Sequence, residues 1–158
     1  MSSNASYFNQ KLENLPNDLQ NLTLGHNFNQ KLENLPNNLQ NLILGNYFNQ
    51  KLENLPNVLQ NLTLGHNFNQ KLENLPNNLQ NLTLGYSFNQ SLNPCVALPK
   101  LQNLSLNARY DLEMPPLFNT TIIYISNNNK IYKKINENYE SYSIDTWKNI
   151  FYKSININ

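Results

Sequence analysis

The residue types in this sequence that could do chemistry are two histidines, one cysteine and two series of charged residues. His26 and His66 could bind a metal ion, because imidazole nitrogen is a common zinc ligand. Cys95 is the only cysteine and could act as a nucleophile. Lysine and glutamate recur two positions apart, and such pairs could transfer protons. The two series are Lys11, Lys31, Lys51 and Lys71, and Glu13, Glu33, Glu53 and Glu73.

An internal repeat sets the spacing of these residues. The triplet Phe-Asn-Gln returns every twenty residues, and each interval also contains the skeleton Leu-x-x-Leu-x-Leu. A fixed period of this length with this leucine pattern is typical of a leucine-rich repeat, in which each unit forms one coil of a solenoid. A single coil buries too little apolar surface to fold alone, so the coils must stack. The triplets begin at Phe8, Phe28, Phe48, Phe68 and Phe88.

The repeat argues against catalysis and metal binding. His26 and His66 lie two coils apart, about 9–10 Å by strand spacing, so parallel side chains would not converge on one ion. Every lysine and glutamate copy has the same exposed surroundings, and we expect these columns to form a solvated lattice of salt bridges. Cys95 is expected to be a small buried residue. We therefore predict no enzyme activity, no cofactor and no metal.

The predicted fold is a leucine-rich repeat solenoid, which belongs to the α/β class by convention and is mostly β here. Each coil should add one strand to a parallel concave sheet of about six strands, and the return segments should be extended or 3₁₀ backbone. Because side chains alternate along a strand, Leu22 and Leu24 should point inward, and Thr23 outward. Phe28 should belong to a stacked spine in the core. The predicted strands are residues 19–24, 39–44, 59–64, 79–84, 101–106 and 121–126.

Glycine and asparagine positions receive local roles. Gly25 and its copies should allow the chain to bend off the strand. Asn29 does not vary between repeats, and its amide is expected to turn inward and satisfy backbone groups that the bend leaves unpaired. Asn27 is the alternative for this role, but its position becomes Tyr47 and Ser87 in other repeats.

One domain is expected over residues 1–158, and its last part should be a cap. The C-terminal segment contains Ile144, Trp147, Phe151 and Ile155 at three- and four-residue spacing, which predicts an amphipathic helix beginning near Ser143 or Asp145. The helix could cover the last coil, bind a partner or lie on a membrane surface. The predicted divisions are regular repeats at 7–90, degenerate repeats at 91–130 with a bend at 127–131, and the helical cap at 131–158.

The bend of each repeat resembles a known family. The block Gly25-His26-Asn27-Phe28-Asn29-Gln30 returns with changes at residues 45–50, 65–70 and 85–90. Beside Leu-x-x-Leu-x-Leu, this G-x-x-F-N-Q block resembles the FNIP-type (FGxxFN) leucine-rich repeat, known mainly from giant DNA viruses and social amoebae. Leucine stands before the glycine where that family often has phenylalanine, and Lys-Leu-Glu stands where it often has Pro-Ile. The resemblance implies a recognition scaffold and names no ligand.

Positions that change between repeats predict the binding surface. We expect a non-catalytic scaffold that binds a protein or peptide through the concave face. The alternative is a structural protein that forms homo-oligomers through an uncapped N-terminal end and binds nothing on that face. The candidate partner-binding residues are Asn21, Thr23, His26, Asn41, Ile43, Asn46, Asn61, Thr63, His66, Asn81, Thr83 and Tyr86.

Composition disfavours other partners. The formal net charge is +1 and the sequence pI is about 7.8, so we expect neither nucleic acid nor an anionic membrane as a ligand. No apolar run approaches the roughly 18 residues of a membrane span, and the first residues do not resemble a secretory signal. A single cysteine fits a reducing compartment, so we expect the cytoplasm, or the host cytoplasm if the protein is viral.

Overall fold

The computed structural model of the protein describes residues 7–107, 112, 121–125, 130–135 and 138–143. Within these ranges lie all the regular repeats and the strands that follow them. The predicted helix containing Ile144, Trp147, Phe151 and Ile155 lies outside the described residues. Ser143, one of the two predicted starting points, is the last residue of a strand.

Six parallel strands form one sheet in chain order, as predicted for a leucine-rich repeat solenoid. Neighbouring strands pair without a shift, so that Leu22 lies beside Leu42 and Thr23 beside Ile43. The first four strands are three residues long, shorter than predicted, because the chain turns into a bend soon after each inward leucine. The strands are β1 (Asn21–Thr23), β2 (Asn41–Ile43), β3 (Asn61–Thr63), β4 (Asn81–Thr83), β5 (Asn103–Asn107) and β6 (Thr121–Ile125).

The core consists of columns of leucine and phenylalanine that run from coil to coil. Leu42 and Leu44 on β2 and its continuation are buried, whereas Ile43 between them is exposed, which confirms the alternation. Phe28, Phe48 and Phe68 are fully buried. Their ring centroids are 6.2 and 6.1 Å apart and their planes differ by 5° and 8°. The predicted phenylalanine spine is therefore present, and each ring packs against the copies above and below it.

Return segments are extended and contain one hydrogen-bonded turn. In the second repeat the amide of Leu39 donates to the carbonyl of Pro36 at 3.1 Å, and the bond recurs in the other regular repeats. A feature that the sequence reading missed precedes this turn: one asparagine per coil adopts a left-handed backbone conformation. Asparagine tolerates that conformation better than other non-glycine residues, which explains its presence there. These residues are Asn14, Asn34, Asn54 and Asn74, with φ between 55° and 59°.

Glycine at the start of each bend allows the backbones of neighbouring coils to pack closely, and its conformational freedom is not used. No glycine among the described residues has a positive φ, so the predicted conformational role is wrong. A Cβ atom added to Gly65 would lie 2.3 Å from the carbonyl oxygen of Gly45, and one added to Gly85 would lie 2.0 Å from that of Gly65. Successive bends therefore approach each other backbone to backbone. Any side chain at this position would push two coils apart.

The array changes character after the fourth regular repeat. Asn81 pairs with Asn103, an offset of 22 residues, and the longer connection contains a short helix that was not predicted, α1 (Asn93–Val96), with Pro94 in its first turn.

Beyond β6, strands β7 (Lys130–Ile135) and β8 (Asn138–Ser143) form an antiparallel hairpin. The bend predicted at 127–131 is therefore wrong for its last two residues. Tyrosine and isoleucine are frequent in this segment, and both favour strands.

Substituting Gly85 tests the packing of the bends. We expect Gly85→Ala to lower the free energy of unfolding by about 3 kcal/mol or more, because the new Cβ atom meets a backbone carbonyl that cannot rotate away. Urea denaturation followed by circular dichroism measures the change. The matched control is Ser87→Ala, two residues along at an exposed position, which should stay within about 0.5 kcal/mol of the parent protein. Equal stability of the two variants would contradict the close-packing role.

Candidate functional site

The outward face of the sheet carries a ladder of asparagine amides. The Nδ2 group of Asn41 donates to Oδ1 of Asn21 at 2.6 Å, and Nδ2 of Asn103 donates to Oδ1 of Asn81 at 2.7 Å. The intervening pairs, Asn61 with Asn41 and Asn81 with Asn61, are bonded in the same way. An amide has two N–H groups and two oxygen lone pairs, so each central member of the ladder retains one of each for a ligand.

A second outward column lies beside this ladder and contains Thr23, Ile43, Thr63 and Thr83. Ile43 is 45% exposed, whereas Thr63 and Thr83 are half-buried. A β-branched apolar side chain is suited to a strand, but its exposure here leaves apolar surface in contact with water. We call the two columns on β1 to β4, together with the turn position of His26 and its copies Asn46, His66 and Tyr86, the concave strip. It contains all twelve residues predicted from the sequence.

The histidines of the strip pack against tyrosines of the following coil. His26 occupies a turn closed by a bond from the amide of Phe28 to the carbonyl of Gly25 at 3.1 Å, so its side chain is free to project from the bend. Its ring lies edge-on to Tyr47, with centroids 4.7 Å apart and planes at 81°. His66 stacks on Tyr86 at 4.8 Å and 12°. Each exposed histidine therefore belongs to an aromatic pair at the border of the strip, with exposed Tyr47 in one pair and half-buried Tyr86 in the other.

Tyr47 was left out of the predicted site, although the structure places it there. It is 51% exposed and contacts His26. The signal was present in the sequence, since a large aromatic residue replaces asparagine at a position where the chain needs no core side chain. An exposed aromatic ring that a neighbouring ring holds in place is a common feature of binding surfaces.

A different asparagine column links the bends. Oδ1 of Asn29 accepts from the backbone amide of Asn49 at 2.9 Å and from Nε2 of Gln50 at 3.2 Å. Asn9, Asn49 and Asn69 make the same pair of bonds to the next coil. The invariant asparagine does satisfy a backbone group, as expected of Asn29 rather than Asn27, but the donor lies on the following coil and not in its own bend.

Lysine and glutamate do not form the predicted lattice of salt bridges. Within residues 7–107, which include both columns, no lysine nitrogen lies within 4.0 Å of a carboxylate oxygen, so this prediction is wrong. Lys31 and Glu33 flank the buried Leu32 on an extended segment. Residues two apart on such a segment are separated by roughly 6.6 Å of backbone, and water competes for both charges. The charged columns are therefore solvated individually.

Cys95 is buried, as the sequence reading expected. Burial raises the pKa of its thiol to about 12, because the surrounding apolar side chains cannot solvate a thiolate. Its backbone amide donates to the carbonyl of Leu92 at 2.9 Å within the irregular connection. A thiol held in its protonated form is a weak nucleophile and a weak metal ligand, so Cys95 serves packing.

The described ranges contain neither a metal-binding cluster nor a membrane span. They hold no group of three or more His, Cys, Asp or Glu residues that could bind a metal ion. In the same ranges, the helical segments are too short or too polar to cross a bilayer.

Comparison with known proteins identifies the repeat. The sequence pattern of the FNIP repeat matches residues 8–47, 28–67, 48–74 and 68–109, which together exceed half of the 158 residues. The chain belongs to the FNIP repeat family. Among solved structures, CroV588, described as a novel circular LRR protein, matches with a TM-score of 0.66 and 39% identity. The match covers 78% of this chain and 20% of CroV588, so this chain spans about a fifth of that protein. No curated protein matches the sequence.

Comparing the FNIP repeats with one another singles out one coil. Residues 21–40 and 61–80 are identical, and residues 41–60 between them differ at Ile43, Asn46, Tyr47 and Val58. Three of these four changes replace a polar residue with an apolar or aromatic one that remains exposed, and Val58 is 39% exposed. The middle coil therefore has the same fold as its neighbours and a more apolar surface. Sequence reasoning named two of the four residues, Ile43 and Asn46, as site residues.

Thiol labelling tests the packing role of Cys95. We expect the folded protein to react with iodoacetamide at pH 8 far more slowly than a free thiol, because burial keeps the pKa near 12 and restricts access. In urea the same thiol should react fully. Mass spectrometry of the labelled protein over time measures both rates. Rapid labelling under native conditions would show that the thiol is reactive and accessible.

Proposed function

We propose that this FNIP-repeat chain is a non-catalytic scaffold that binds a protein or peptide through the concave strip. The observation that carries the proposal is Ile43, which is 45% exposed where the identical flanking coils have Thr23 and Thr63. The same coil also exposes Tyr47, and several exposed apolar or aromatic side chains on one coil are a feature of interaction surfaces. The side chains of the strip also suit recognition, because they present amides, hydroxyls and aromatic rings.

The strip offers a partner two kinds of contact. Ile43 supplies an apolar anchor, and the amides of Asn41 on the same strand and Asn61 on the next strand each retain one donor and one acceptor. Because the ladder fixes these amides before binding, a partner pays little side-chain entropy to use them. A peptide with an apolar side chain over Ile43 and main-chain groups over the neighbouring amides fits this arrangement. CroV588 is a giant-virus protein, and this likeness together with the single buried cysteine supports the host cytoplasm as the location.

Replacing strip residues by those of the identical neighbouring coils tests this function. Peptides selected from a displayed random library on the parent protein are titrated against Ile43→Thr combined with Asn46→His. We expect a loss of about tenfold or more in affinity, because the apolar anchor is removed. Val58→Asn is the matched control, since it too copies the neighbours but lies in the turn of the return segment. Unchanged affinity in the strip variant would contradict the proposal.

Self-assembly is a second candidate function, favoured by the surface beside β1. In the described sheet β1 has a strand neighbour on one side, and Phe8, which stacks on Phe28 at 6.0 Å, is 38% exposed. Unpaired strand edges beside apolar surface promote association of like chains. The relative CroV588 closes a circle with a much longer chain, and several short chains joined end to end could reach a comparable length.

Light scattering over a range of concentrations tests self-assembly. We expect the molar mass to rise with concentration if the β1 edge pairs with another copy, and to return to that of one chain in Leu22→Lys, which places a charge at this edge. Leu22 is half-buried, so its lysine can still reach water. A mass of one chain at all concentrations would exclude this candidate and leave the peptide-binding proposal untouched.

A further inference from the structure

A shallow groove lies beside the concave strip, on the surface formed by the bends. Its volume is about 680 Å³. Two tyrosines line it, Tyr7 and Tyr47, which are 70% and 51% exposed. All other lining residues are asparagines, and no charged or aliphatic side chain contributes. We call this the asparagine groove; its lining residues are Tyr7, Asn9, Asn27, Asn29, Tyr47, Asn49 and Asn67.

Hydrogen bonds of the bend column fix which end of each amide is free in this groove. Oδ1 of Asn9, Asn29 and Asn49 each accepts two hydrogen bonds from the next coil, which occupies both lone pairs of the oxygen. In the described ranges no acceptor is bonded to the Nδ2 group of these three residues. The groove thus contains a row of uncharged N–H donors whose orientation is set by the fold.

The groove also contains two exposed tyrosine rings, which lie two coils apart. The coil steps at the adjacent phenylalanine column are 6.0 Å from Phe8 to Phe28 and 6.2 Å from Phe28 to Phe48, so Tyr7 and Tyr47 are separated by two such steps. Tyr47 is held by its edge-on contact with His26. An aromatic face binds apolar C–H surfaces, and its hydroxyl can donate or accept a hydrogen bond.

We propose that the asparagine groove binds a neutral oligosaccharide. A sugar chain presents C–H faces to aromatic rings and many hydroxyl and ring oxygens to N–H donors, and it carries no charge that the groove would need to neutralise. An extended peptide needs pockets for its side chains, which the amide floor does not provide. Threonine and aromatic residues on the sheet face are too few for sugar binding there. The groove supplies what that face lacks, and the inference does not depend on a peptide ligand for the strip.

Titration with defined sugars tests the proposal. The probes are cellohexaose, chitohexaose, maltohexaose and a mannan hexasaccharide, with a polygalacturonate oligomer as the charged comparison. We expect at least one neutral probe to bind with a dissociation constant below about 1 mM and to shift the side-chain amide NMR signals of the groove asparagines. Tyr47→Asn, which copies the flanking coils, and Tyr7→Ala should each weaken binding about tenfold or more.

Control variants and competing ligands distinguish sugar binding at the groove from binding elsewhere and from loss of folding. Val58→Asn and the strip variant Ile43→Thr with Asn46→His should bind the sugar as the parent protein does, because neither changes a groove residue. Circular dichroism should show that Tyr47→Asn is folded, since two neighbouring coils already carry asparagine there. Absence of binding by every neutral probe, stronger binding of the charged oligomer, or full binding by a variant that combines Tyr7→Ala with Tyr47→Asn would each overturn the proposal. A selected peptide that competes at the groove would do the same.

Discussion

Contact between successive bends in strict register is the constraint on which the rest of this structure depends. At Gly45, Gly65 and Gly85 the backbones meet with no space for a Cβ atom. That approach brings each bend asparagine within 2.9 Å of the backbone amide of the next one, and it brings the phenylalanine rings into a stack with a spacing near 6.1 Å. A coil displaced along the array would lose all three contacts together. Stacking is therefore cooperative, although each coil touches only its neighbours.

Both asparagine columns arise from this register, but they leave different groups for a ligand. On the sheet each amide bonds to the amide before and after it, so one donor and one acceptor remain. In the bends each oxygen takes two donors from the next coil, so only the N–H groups remain. The last bend asparagine shows how directional this column is. Oδ1 of Asn89, in the last regular repeat, is buried and has no partner in the described part of the chain.

Much of the fold follows from periodicity, and what the sequence reading missed involves distances between coils. The twenty-residue period and the alternation at Leu22, Thr23 and Leu24 predicted the parallel sheet and the spine at Phe28, because both are properties of position within a coil. The period also singled out Asn29 as the residue that satisfies a backbone group, but not the coil on which that group lies. The reason for Gly65 depends on how close neighbouring coils come, which spacing along one chain does not give. The hairpin of β7 and β8 follows no repeat, so periodicity was silent there. Of the site, the strip was predicted, whereas Tyr47 and the groove were not.

The coils on both sides of residues 41–60 are identical to each other, so the differences in the middle coil show which surface positions can vary. Ile43, Asn46 and Tyr47 occupy positions whose side chains take no part in the two asparagine columns, the phenylalanine spine or the glycine contact. The fold therefore neither requires nor resists the residues found at these three positions. At the position of Val58 the flanking coils have Asn38 and Asn78, whose Nδ2 groups donate to the carbonyls of Asn17 and Asn57. Exposed apolar surface lowers solubility, and a repeat with a purely structural role gains nothing from three such side chains on one coil. The middle coil lies at the border between the strip and the groove, where Tyr47 meets His26, and the two surfaces share that one aromatic contact.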